Sequence, residues 1–228
     1  MHPTVEALRG GLIVSCQAQP HSPVFGARFM AAFARCAELG GAVAVRANGA
    51  RDVRALRQAT RLPIIGINKR RDPRYPVYIT PTFASARQVV RAGATIVALD
   101  ATHRARQGGA PPERLIQRIR EELGVLVMAD IDGLEEALAA EAAGADLIAT
   151  TLAGYTAGRE RTLGADLALV QELSARLRVP VICEGRLSTP DEVRAAFECG
   201  AYAVVVGTAI TNPTAITQRF VAALPKRA

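Results

Sequence analysis

Short hydrophobic runs rich in Val and Ile recur along the chain at regular intervals. Their nearly continuous apolar character predicts strands that are buried on both faces, as in a parallel sheet covered by helices. The eight runs are GLIVSC (11–16), AVAVR (42–46), PIIGIN (63–68), TIVALD (95–100), VLVMAD (125–130), DLIAT (146–150), PVICE (180–184) and YAVVVG (202–207).

Segments of helical period and length separate these strands. They include residues 26–39, 82–93, 134–144, 164–177 and 189–200. The last segment begins with Thr189 as the expected N-cap and Pro190 in the first turn, and Gly200 ends it. Similar Gly-Ala pairs at 93–94, 144–145 and 200–201 mark helix ends before the next strand.

The alternation of strands and helices defines the fold class. Eight β/α units in 228 residues predict an α/β fold, a TIM (β/α)8 barrel with parallel strands. We expect a single domain over residues 1–228 with its core at about 10–222. An open, doubly wound sheet is the alternative, but it would need an early dinucleotide fingerprint, and the sequence contains no GxGxxG.

Composition and charge narrow the function classes. A net charge of +7 is compatible with nucleic-acid binding, but the arginines are spread along the chain and often stand near Glu, as in RLIQRIREEL (114–123). With no Trp, four Tyr and six Phe, there is little aromatic surface for base stacking. We therefore predict a small anionic ligand and no nucleic-acid partner.

Cysteine usage and hydropathy indicate a cytoplasmic protein. The four cysteines lie far apart without metal-ligand spacing, and most sit in apolar runs, as expected for buried free thiols. The sequence has no apolar stretch long enough to cross a membrane, and its N-terminal residues lack the order of a signal peptide. We expect no membrane association.

Polar residues close nearly every predicted strand. In a parallel barrel the active site gathers at the carboxyl ends of the strands, so these groups are expected to meet at one mouth. They are Gln17, Arg46, Lys69, Asp100, Asp130, Thr150 with Thr151, Glu184 with Arg186, and Gly207 with Thr208.

Lys69 is the most informative of these residues. The chain has 28 basic residues, and only Lys69 and Lys226 are lysine. A partly buried lysine beside other cations can lose its proton and act as a base or an amine nucleophile, whereas arginine stays protonated. Arg70 and Arg71 would lower its pKa if their side chains lie nearby. The alternative is a solvated charge in a basic loop.

The polar residues at the other strand ends each allow more than one role. Glu184 follows the apolar PVIC, so its pKa can be raised, but it could also be a structural partner of Arg186. Arg46 is suited to hold a substrate oxygen or an acid, and Gln17 a sugar hydroxyl or a backbone group. Of the two strand-end aspartates, Asp100 and Asp130, one is expected to be only a hydrogen-bond acceptor at the rim.

A phosphate site is predicted at the ends of the last two strands. The loops after strands seven and eight are the recurrent phosphate site of this fold, and glycine lets the backbone approach an anion closely. EGRLSTP and VVGTAITNP supply Gly185, Arg186, Gly207 and Thr208 there. Because His, Cys and carboxylate residues do not cluster, we predict no catalytic metal.

Taken together, nine motifs resemble the N-acetylmannosamine-6-phosphate 2-epimerase family from about Gly10 to Phe220. The motifs are SCQA (15–18), VRAN (45–48), GINKR (66–70), ITPT (79–82), ALDAT (98–102), MADID (128–132), TTLAGYT (150–156), CEGRLSTP (183–190) and VVVGTAIT (204–211). The resemblance implies an isomerase with a TIM barrel. It would interconvert N-acetylmannosamine 6-phosphate and N-acetylglucosamine 6-phosphate in sialic acid or amino-sugar catabolism, without metal or nucleotide.

The resemblance also assigns roles to individual residues. The family's catalytic lysine and glutamate fall on Lys69 and Glu184. The sugar-contacting and phosphate-binding residues fall on Gln17, Arg46 and Asp130, and on Gly185, Arg186, Gly207 and Thr208, respectively. We add Thr150 and Tyr155, from TTLAGYT, to the expected substrate-binding residues.

The sequence departs from the family pattern at two places. After AIT of the last motif the family usually has arginine, where this chain has Asn212, so one positive contact near the phosphate is expected to be missing. MADID brings Asp132 and Gly133 to positions where small or hydroxyl residues are common, and we expect a smaller effect there.

Two other functions remain open at this point. Lys69 could form a Schiff base with a carbonyl substrate in another phosphate-binding barrel enzyme. The chain could also be a non-catalytic phosphosugar-binding barrel, although the presence of both Lys69 and Glu184 favours an enzyme. The sequence does not determine the oligomeric state, and a homodimer is one arrangement we consider.

Overall fold

The computed structural model describes residues 1–225 and contains a closed barrel of eight parallel strands. Each strand pairs with the next along the chain, and β8 pairs with β1. The strands are β1 (Leu12–Cys16), β2 (Ala44–Asn48), β3 (Ile64–Ile67), β4 (Ile96–Asp100), β5 (Leu126–Asp130), β6 (Leu147–Ala149), β7 (Val181–Glu184) and β8 (Ala203–Val206). The predicted TIM barrel is therefore confirmed, and every strand lies within its predicted hydrophobic run or extends two residues beyond it.

Helices follow each strand and cover the outside of the barrel. The helices are α1 (Pro3–Glu6), α2 (Ala27–Leu39), α3 (Gly49–Ala59), α4 (Phe83–Arg91), α5 (Pro112–Leu123), α6 (Leu134–Ala142), α7 (Leu167–Arg176), α8 (Pro190–Glu198), α9 (Thr208–Thr211) and α10 (Pro213–Ala222). The short α9 and the longer α10 both follow β8, where the fold commonly carries an extra helix.

Local signals account for where α8 begins and ends. Thr189 accepts a hydrogen bond from the Glu192 amide, and the Glu192 side chain accepts one from the Thr189 amide, which completes a capping box. Gly200 has φ +93°, and a Cβ there would lie 2.9 Å from the Cβ of Ser174. A left-handed turn against α7 thus requires glycine. The predicted cap and stop are both confirmed.

The hydrophobic core has two parts. One lies between the sheet and the helices, and the other fills the barrel interior. Val5 and Leu8, from α1 and the turn after it, are buried in the interior part and close the end of the barrel opposite the strand carboxyl ends. The core thus begins earlier in the chain than residue 10, because the first residues plug the barrel.

The C-terminal helix lies apart from this core. None of the residues of α10 is buried, and Phe220 is 75% exposed. Within residues 1–225, no helix has both the length and the apolar character that a membrane crossing requires.

Candidate active site

The carboxyl ends of the strands surround a cavity of about 1320 Å³. The predicted site residues that line it are Gln17, Arg46, Lys69, Tyr155, Glu184, Gly185, Arg186, Gly207 and Thr208. Asp130 and Thr150, which were also predicted to bind substrate, are buried side chains hydrogen-bonded to residues of the lining. The strand-end pattern thus brings most of the predicted groups to one place.

Arg46 crosses the floor of the cavity from β2. Its side chain is 1% exposed, and its Nη1 and Nη2 donate to the two carboxylate oxygens of Asp130 at 3.1 and 2.5 Å. Nη1 also pairs with Glu184. A charge buried this deeply needs such partners, because it has lost its hydration. Asp130 therefore orients Arg46 from β5, on the far side of the barrel.

Thr151, one of the polar residues at the predicted strand ends, joins the same network, although the sequence assigns substrate contact to Thr150 instead. Its hydroxyl lies 2.7 Å from Asp130 Oδ1 and 3.1 Å from Glu184 Oε2. The hydroxyl of Thr150 instead accepts from the backbone N–H of Glu184 and donates to its C=O, at 3.1 Å each. Because β6 ends at Ala149, strand alternation does not indicate which of the two threonines faces the cavity.

Glu184 ends β7 with a raised pKa. Burial raises this pKa most, the guanidinium of Arg46 lowers it, and the neighbouring carboxylate of Asp130 raises it. Together they bring the pKa of Glu184 to about 7. One guanidinium faces two carboxylates, so full ionisation of both would leave a buried excess negative charge. Glu184 can therefore gain or lose a proton near neutral pH. Its ion pair is with Arg46, whereas Arg186, the partner considered from sequence, binds elsewhere.

Lys69 lies immediately after β3 and has a lowered pKa. Burial lowers it most, and the positive charge of Arg46 comes next; together they bring it to about 8. Arg71 contributes in the same direction, as the sequence suggested, while Glu184 acts in the opposite one. Lys69 is half-buried, and among residues 1–225 no carboxylate lies within 4 Å of its ammonium, so the amine is not one half of an ion pair.

Gln17 and Arg46 each present an unused polar atom. Gln17 Nε2 donates to the hydroxyl of Ser15 at 2.8 Å, which orients the amide. Within the described part of the chain, Gln17 Oε1 and Arg46 Nε are buried without a hydrogen-bond partner. Buried polar atoms of this kind call for an explanation. Both residues line the cavity, so a polar ligand would supply the missing partners.

The ends of β7 and β8 form a second region of the cavity. Gly185 has φ +119°, and a Cβ there would meet nothing closer than 4.0 Å, so its conformation rather than crowding favours glycine. Gly207 precedes α9, and a Cβ there would lie 3.3 Å from the Cβ of Ser15. The first N–H groups of α9, beginning with Thr208, have no acceptor within the helix. Both glycines therefore keep backbone close to the cavity.

Arg186 braces the long loop between β6 and α7. It adopts φ +58°, and its guanidinium donates to the carbonyls of Gly164 and Ala153 at 2.8 and 2.9 Å and to the Thr162 hydroxyl at 2.9 Å. The guanidinium also stands 5.1 Å from the ring of Tyr155. Tyr155, which belongs to this loop, is 51% exposed and lines the cavity.

Asn212 has a local role in the fold. Its Oδ1 accepts from the Ala215 amide at 3.1 Å and caps α10. Asn212 also lines the cavity, as does Arg219 on α10, which donates to the Ser188 carbonyl at 3.1 Å. Helix capping therefore explains why asparagine suits a position where the resemblance suggested arginine.

Asp100 belongs to the rim. It is fully buried, pairs with Arg104 at 2.6 Å and accepts from the Thr102 hydroxyl at 2.7 Å. Arg106 donates to its backbone carbonyl at 2.8 Å. Of the two strand-end aspartates, Asp100 thus organises the loop after β4, while Asp130 serves the cavity. Residues 1–225 contain no group of three or more His, Cys, Asp or Glu side chains arranged to hold a metal ion.

A closed barrel whose strand ends carry a lysine and a glutamate of shifted pKa, beside glycine-rich turns, is typical of phosphate-binding TIM-barrel enzymes. A family model described as "Putative N-acetylmannosamine-6-phosphate epimerase" matches residues 30–226. The chain belongs to this N-acetylmannosamine-6-phosphate epimerase family.

Curated relatives give the same result over nearly the full length. A protein of Thermosynechococcus vestitus is 52% identical over 95% of this chain and 94% of its own length. One from Caldanaerobacter subterraneus subsp. tengcongensis is 47% identical over 98% of this chain and 94% of its own. Both carry the description "Putative N-acetylmannosamine-6-phosphate 2-epimerase". The resemblance read from the motifs is therefore confirmed.

Solved structures support the fold and the family. The N-acetylmannosamine-6-phosphate 2-epimerase from Clostridium perfringens is 42% identical, with a TM-score of 0.94 over 98% of this chain and 97% of that one. A thiamine phosphate pyrophosphorylase from Pyrococcus furiosus, at 20% identity and a TM-score of 0.62, shares the fold alone.

Proposed function

We propose that this protein interconverts N-acetylmannosamine 6-phosphate and N-acetylglucosamine 6-phosphate, with Lys69 and Glu184 as the proton-transfer groups. One observation carries the assignment: the two side chains line the same cavity and have pKa values displaced toward each other, to about 8 and about 7. β3 and β7, which carry them, are four strands apart in a ring of eight. They therefore approach a bound sugar from opposite sides.

The reaction explains why two such groups are needed. In the ring-opened sugar, a base removes the proton from carbon 2, and the electron pair of that C–H bond moves into the C1 carbonyl to give an enolate. An acid on the other face then returns a proton to carbon 2, and the carbonyl forms again. Carbon 2 is inverted, and no oxidant or reductant is required.

The pair needs to hold one proton in total. Glu184 as carboxylate with Lys69 as ammonium, and neutral Glu184 with neutral Lys69, contain the same number of protons. Either arrangement gives one base and one acid, so each direction of the reaction has a competent form at the same pH.

Arg46 and Gln17 are proposed to bind the reacting end of the sugar. The unused Nε–H of Arg46 is suited to stabilise the enolate oxygen, and Oε1 of Gln17 accepts from a hydroxyl or the acetamido N–H. Asp130 and Thr151 orient Arg46 and Glu184 from below. Thr150 acts through the backbone of Glu184, so we assign it a supporting role in place of direct sugar contact.

The phosphate is proposed to bind between the ends of β7 and β8. Gly185, Gly207 and Thr208 line this side of the cavity, and their backbone N–H groups are the proposed donors to the phosphate. Arg186 has five N–H donors, of which three bind the loop between β6 and α7, so two remain for an anion. Binding energy from this remote group would orient carbon 2 between the proton-transfer residues. Tyr155 is proposed to cover the bound sugar.

The function is tested by following interconversion of the two phosphosugars by NMR. Lys69→Met and Glu184→Gln should each lower kcat by roughly two to four orders of magnitude, because each removes a proton-transfer group. Glu172→Gln, which changes an exposed glutamate of α7, and Lys226→Met, which changes the other lysine, serve as matched controls. Near-normal turnover in Lys69→Met would reject the assignment, and N-acetylmannosamine without phosphate should be a much poorer substrate.

A second candidate function uses the same cavity for a different reaction. A partly buried amine with a lowered pKa is also suited to form a Schiff base with a carbonyl substrate. Borohydride reduction in the presence of the phosphosugar would then link substrate covalently to Lys69, as mass spectrometry would detect. Absence of the adduct during active turnover favours the epimerase mechanism. A binding protein without activity would show saturable phosphosugar binding but no interconversion.

We also propose that the protein is a homodimer. Phe220, Val221 and Leu224 are 75%, 58% and 64% exposed and lie on or directly after α10. Apolar side chains grouped on one uncovered helix favour a second copy as their cover. Sedimentation velocity should give twice the mass of the 24.1 kDa chain, and Phe220→Asp should shift the protein toward monomer. A wild-type monomer at micromolar concentration would contradict this.

The remaining partner and location assignments follow from surface charge and metabolism. Many surface arginines pair with acids, as in Arg9 with Glu6 and Arg118 with Glu122, which supports a role without nucleic acid. A cytoplasmic place in amino-sugar or sialic acid catabolism suits a phosphorylated substrate. Weak binding to DNA is expected to vanish as salt is added.

A further inference from the structure

The chain after β3 returns to the mouth of the barrel before α4 begins. Lys69 and Ile79 form an isolated antiparallel bridge, and the Arg70 amide donates to the Tyr78 carbonyl at 2.8 Å. The Ile79 carbonyl in turn accepts from the Asp100 amide of β4 at 3.0 Å. Ile79 and its neighbour in the ITPT motif thus lie between β3 and β4.

The seam between β3 and β4 is incomplete at this end. The ladder between these strands pairs Ile65 with Ile96 and Gly66 with Val97, and stops there. The β4–β5 ladder, in contrast, continues to the last residue of both strands. β2 pairs with β3 as far as Ile67, the last residue of β3, so the end of β3 lacks a strand partner only on the side of β4.

Thr80 bridges the gap in this seam. Its hydroxyl donates to the backbone carbonyl of Ala98 in β4 at 2.6 Å and accepts from the backbone N–H of Asn68 at 3.1 Å. Its own amide donates to the Asn68 carbonyl at 3.1 Å. One threonine thus satisfies both backbone groups of the residue that directly precedes Lys69, and ties them to the neighbouring strand.

Thr80 achieves this in an unfavourable conformation. It has φ +45° and is fully buried, although β-branched residues rarely adopt the left-handed region. Such a conformation persists only where the surrounding structure determines it, and outliers of this kind cluster at functional sites. Here the hydrogen bonds of Thr80 to Asn68 and Ala98 provide that constraint.

Lys69 is held from the other side as well. Its amide donates to Asn48 Oδ1 at 2.8 Å, from the end of β2. Its backbone therefore lies between Asn48 on one flank and the segment of Thr80 on the other. A small shift of either flank would move the start of the lysine side chain relative to the cavity.

We propose that Thr80 is a positioning residue for Lys69, whose hydroxyl and left-handed backbone together fix the end of β3 so that the Lys69 amine enters the cavity. This rests on the proposed function in so far as Lys69 transfers a proton there. The placement of the amine can also be measured without turnover.

The chain makes this measurement simple, because it contains only two lysines. Lysine labelled with 13C at Cε gives one NMR signal for Lys69 and one for Lys226, and each can be titrated. Arg46, Glu184, Arg71 and Asp130 are the charged groups that face Lys69, and all stay unchanged in the variants. Thr80→Gly removes the hydroxyl while permitting the positive φ. Thr80→Ser keeps the hydroxyl.

Thr95 offers a matched control at the opposite end of the same strand. Its hydroxyl bonds the backbone N–H and C=O of Ile64 at 3.1 and 3.3 Å, where β3 begins. Thr95→Val therefore removes an equivalent bond to β3 far from Lys69. If Thr80→Gly fails to fold, Thr80→Asn replaces it, because asparagine tolerates positive φ.

The expected results separate positioning from general stability. In Thr80→Gly the titration midpoint of Lys69 should move toward about 10.4, the ordinary value of lysine. Its kcat should fall about 10- to 100-fold, with a smaller change in KM, because a displaced group is poorly oriented. Thr80→Ser should restore most of both values, and Thr95→Val should change neither.

Two results would overturn the proposal. One is a Thr80→Gly protein with the wild-type midpoint and kcat, and the other is a Thr95→Val protein whose midpoint shifts as much as that of Thr80→Gly. A wild-type protein without epimerase activity would reject the proposed function instead, and the titration would still decide whether Thr80 positions Lys69.

Discussion

At the scale of single residues, the site depends on burial acting on opposite charges. Burial raises the pKa of Glu184 and lowers that of Lys69, because it disfavours the charged form of each. The positive charge of Arg46 lowers the pKa of Lys69 further, and it offsets part of the rise in the pKa of Glu184. The two groups thus come within reach of the same pH, which exposed side chains of these types would not do.

This electrostatic arrangement predicts a narrow, bell-shaped pH profile of kcat/KM. Below about pH 7 both groups hold protons and neither accepts one, so the rate falls with falling pH. Above about pH 8 both have lost their protons and neither donates, so the rate falls again. The two limbs of this profile report apparent pKa values of the coupled pair and not of either residue alone. A rate that stays level from pH 5 to about 10, beyond both limbs, would contradict the assignment.

At the scale of helices and loops, α10 raises the question of how the phosphate is held. Asn212 caps this helix through the Ala215 amide and lies in the wall of the cavity. Capping and the proposed phosphate contact would therefore compete for this one position. An arginine there would add a cation, but it would lose the cap.

Asn212→Arg tests this competition. It should lower KM for the phosphosugar through the added charge, and speed hydrogen exchange in α10, because losing an N-cap costs about 1 kcal/mol. Asn212→Ser, which keeps a capping oxygen, should change neither. An unchanged KM in Asn212→Arg would mean that Arg186 and backbone amides already suffice.

Much of the barrel could be predicted from its elements, and less of the site. Continuous apolar runs locate the strands, since both faces are buried, and strand ends locate the cavity. Residues beyond the strand ends follow loop geometry, which two-residue alternation does not describe. For this reason the sequence places both Thr150 and Thr151 at the end of β6 but assigns substrate contact to Thr150, although the hydroxyl of Thr151 is the one that contacts the site carboxylates, and it gives no sign that Thr80 has a left-handed backbone.

At the scale of the whole molecule, chemistry and stability lie at opposite ends of the barrel. The lysine, the glutamate and the glycine-rich turns occupy the carboxyl end, while Val5 and Leu8 close the other end with apolar side chains. Such separation allows one end to change without the other.

Leu8→Ala should therefore lower the free energy of unfolding by about 2–5 kcal/mol, because it opens a cavity in a fully buried place. The pH profile of kcat/KM and the KM for the phosphosugar should not change. The same substitution at Leu39, which is 73% exposed, should cost less than about 0.5 kcal/mol. Chemical denaturation measures both, and an altered pH profile in Leu8→Ala would show that the two ends are coupled.

In the proposed mechanism, Lys69 and Glu184 exchange the proton on carbon 2 with solvent within this cavity. Conversion of N-acetylmannosamine 6-phosphate in deuterated water, followed by NMR of the product, is the decisive experiment. The product should be N-acetylglucosamine 6-phosphate that carries deuterium at carbon 2. Product formed at full rate with only the original hydrogen at carbon 2 would contradict it.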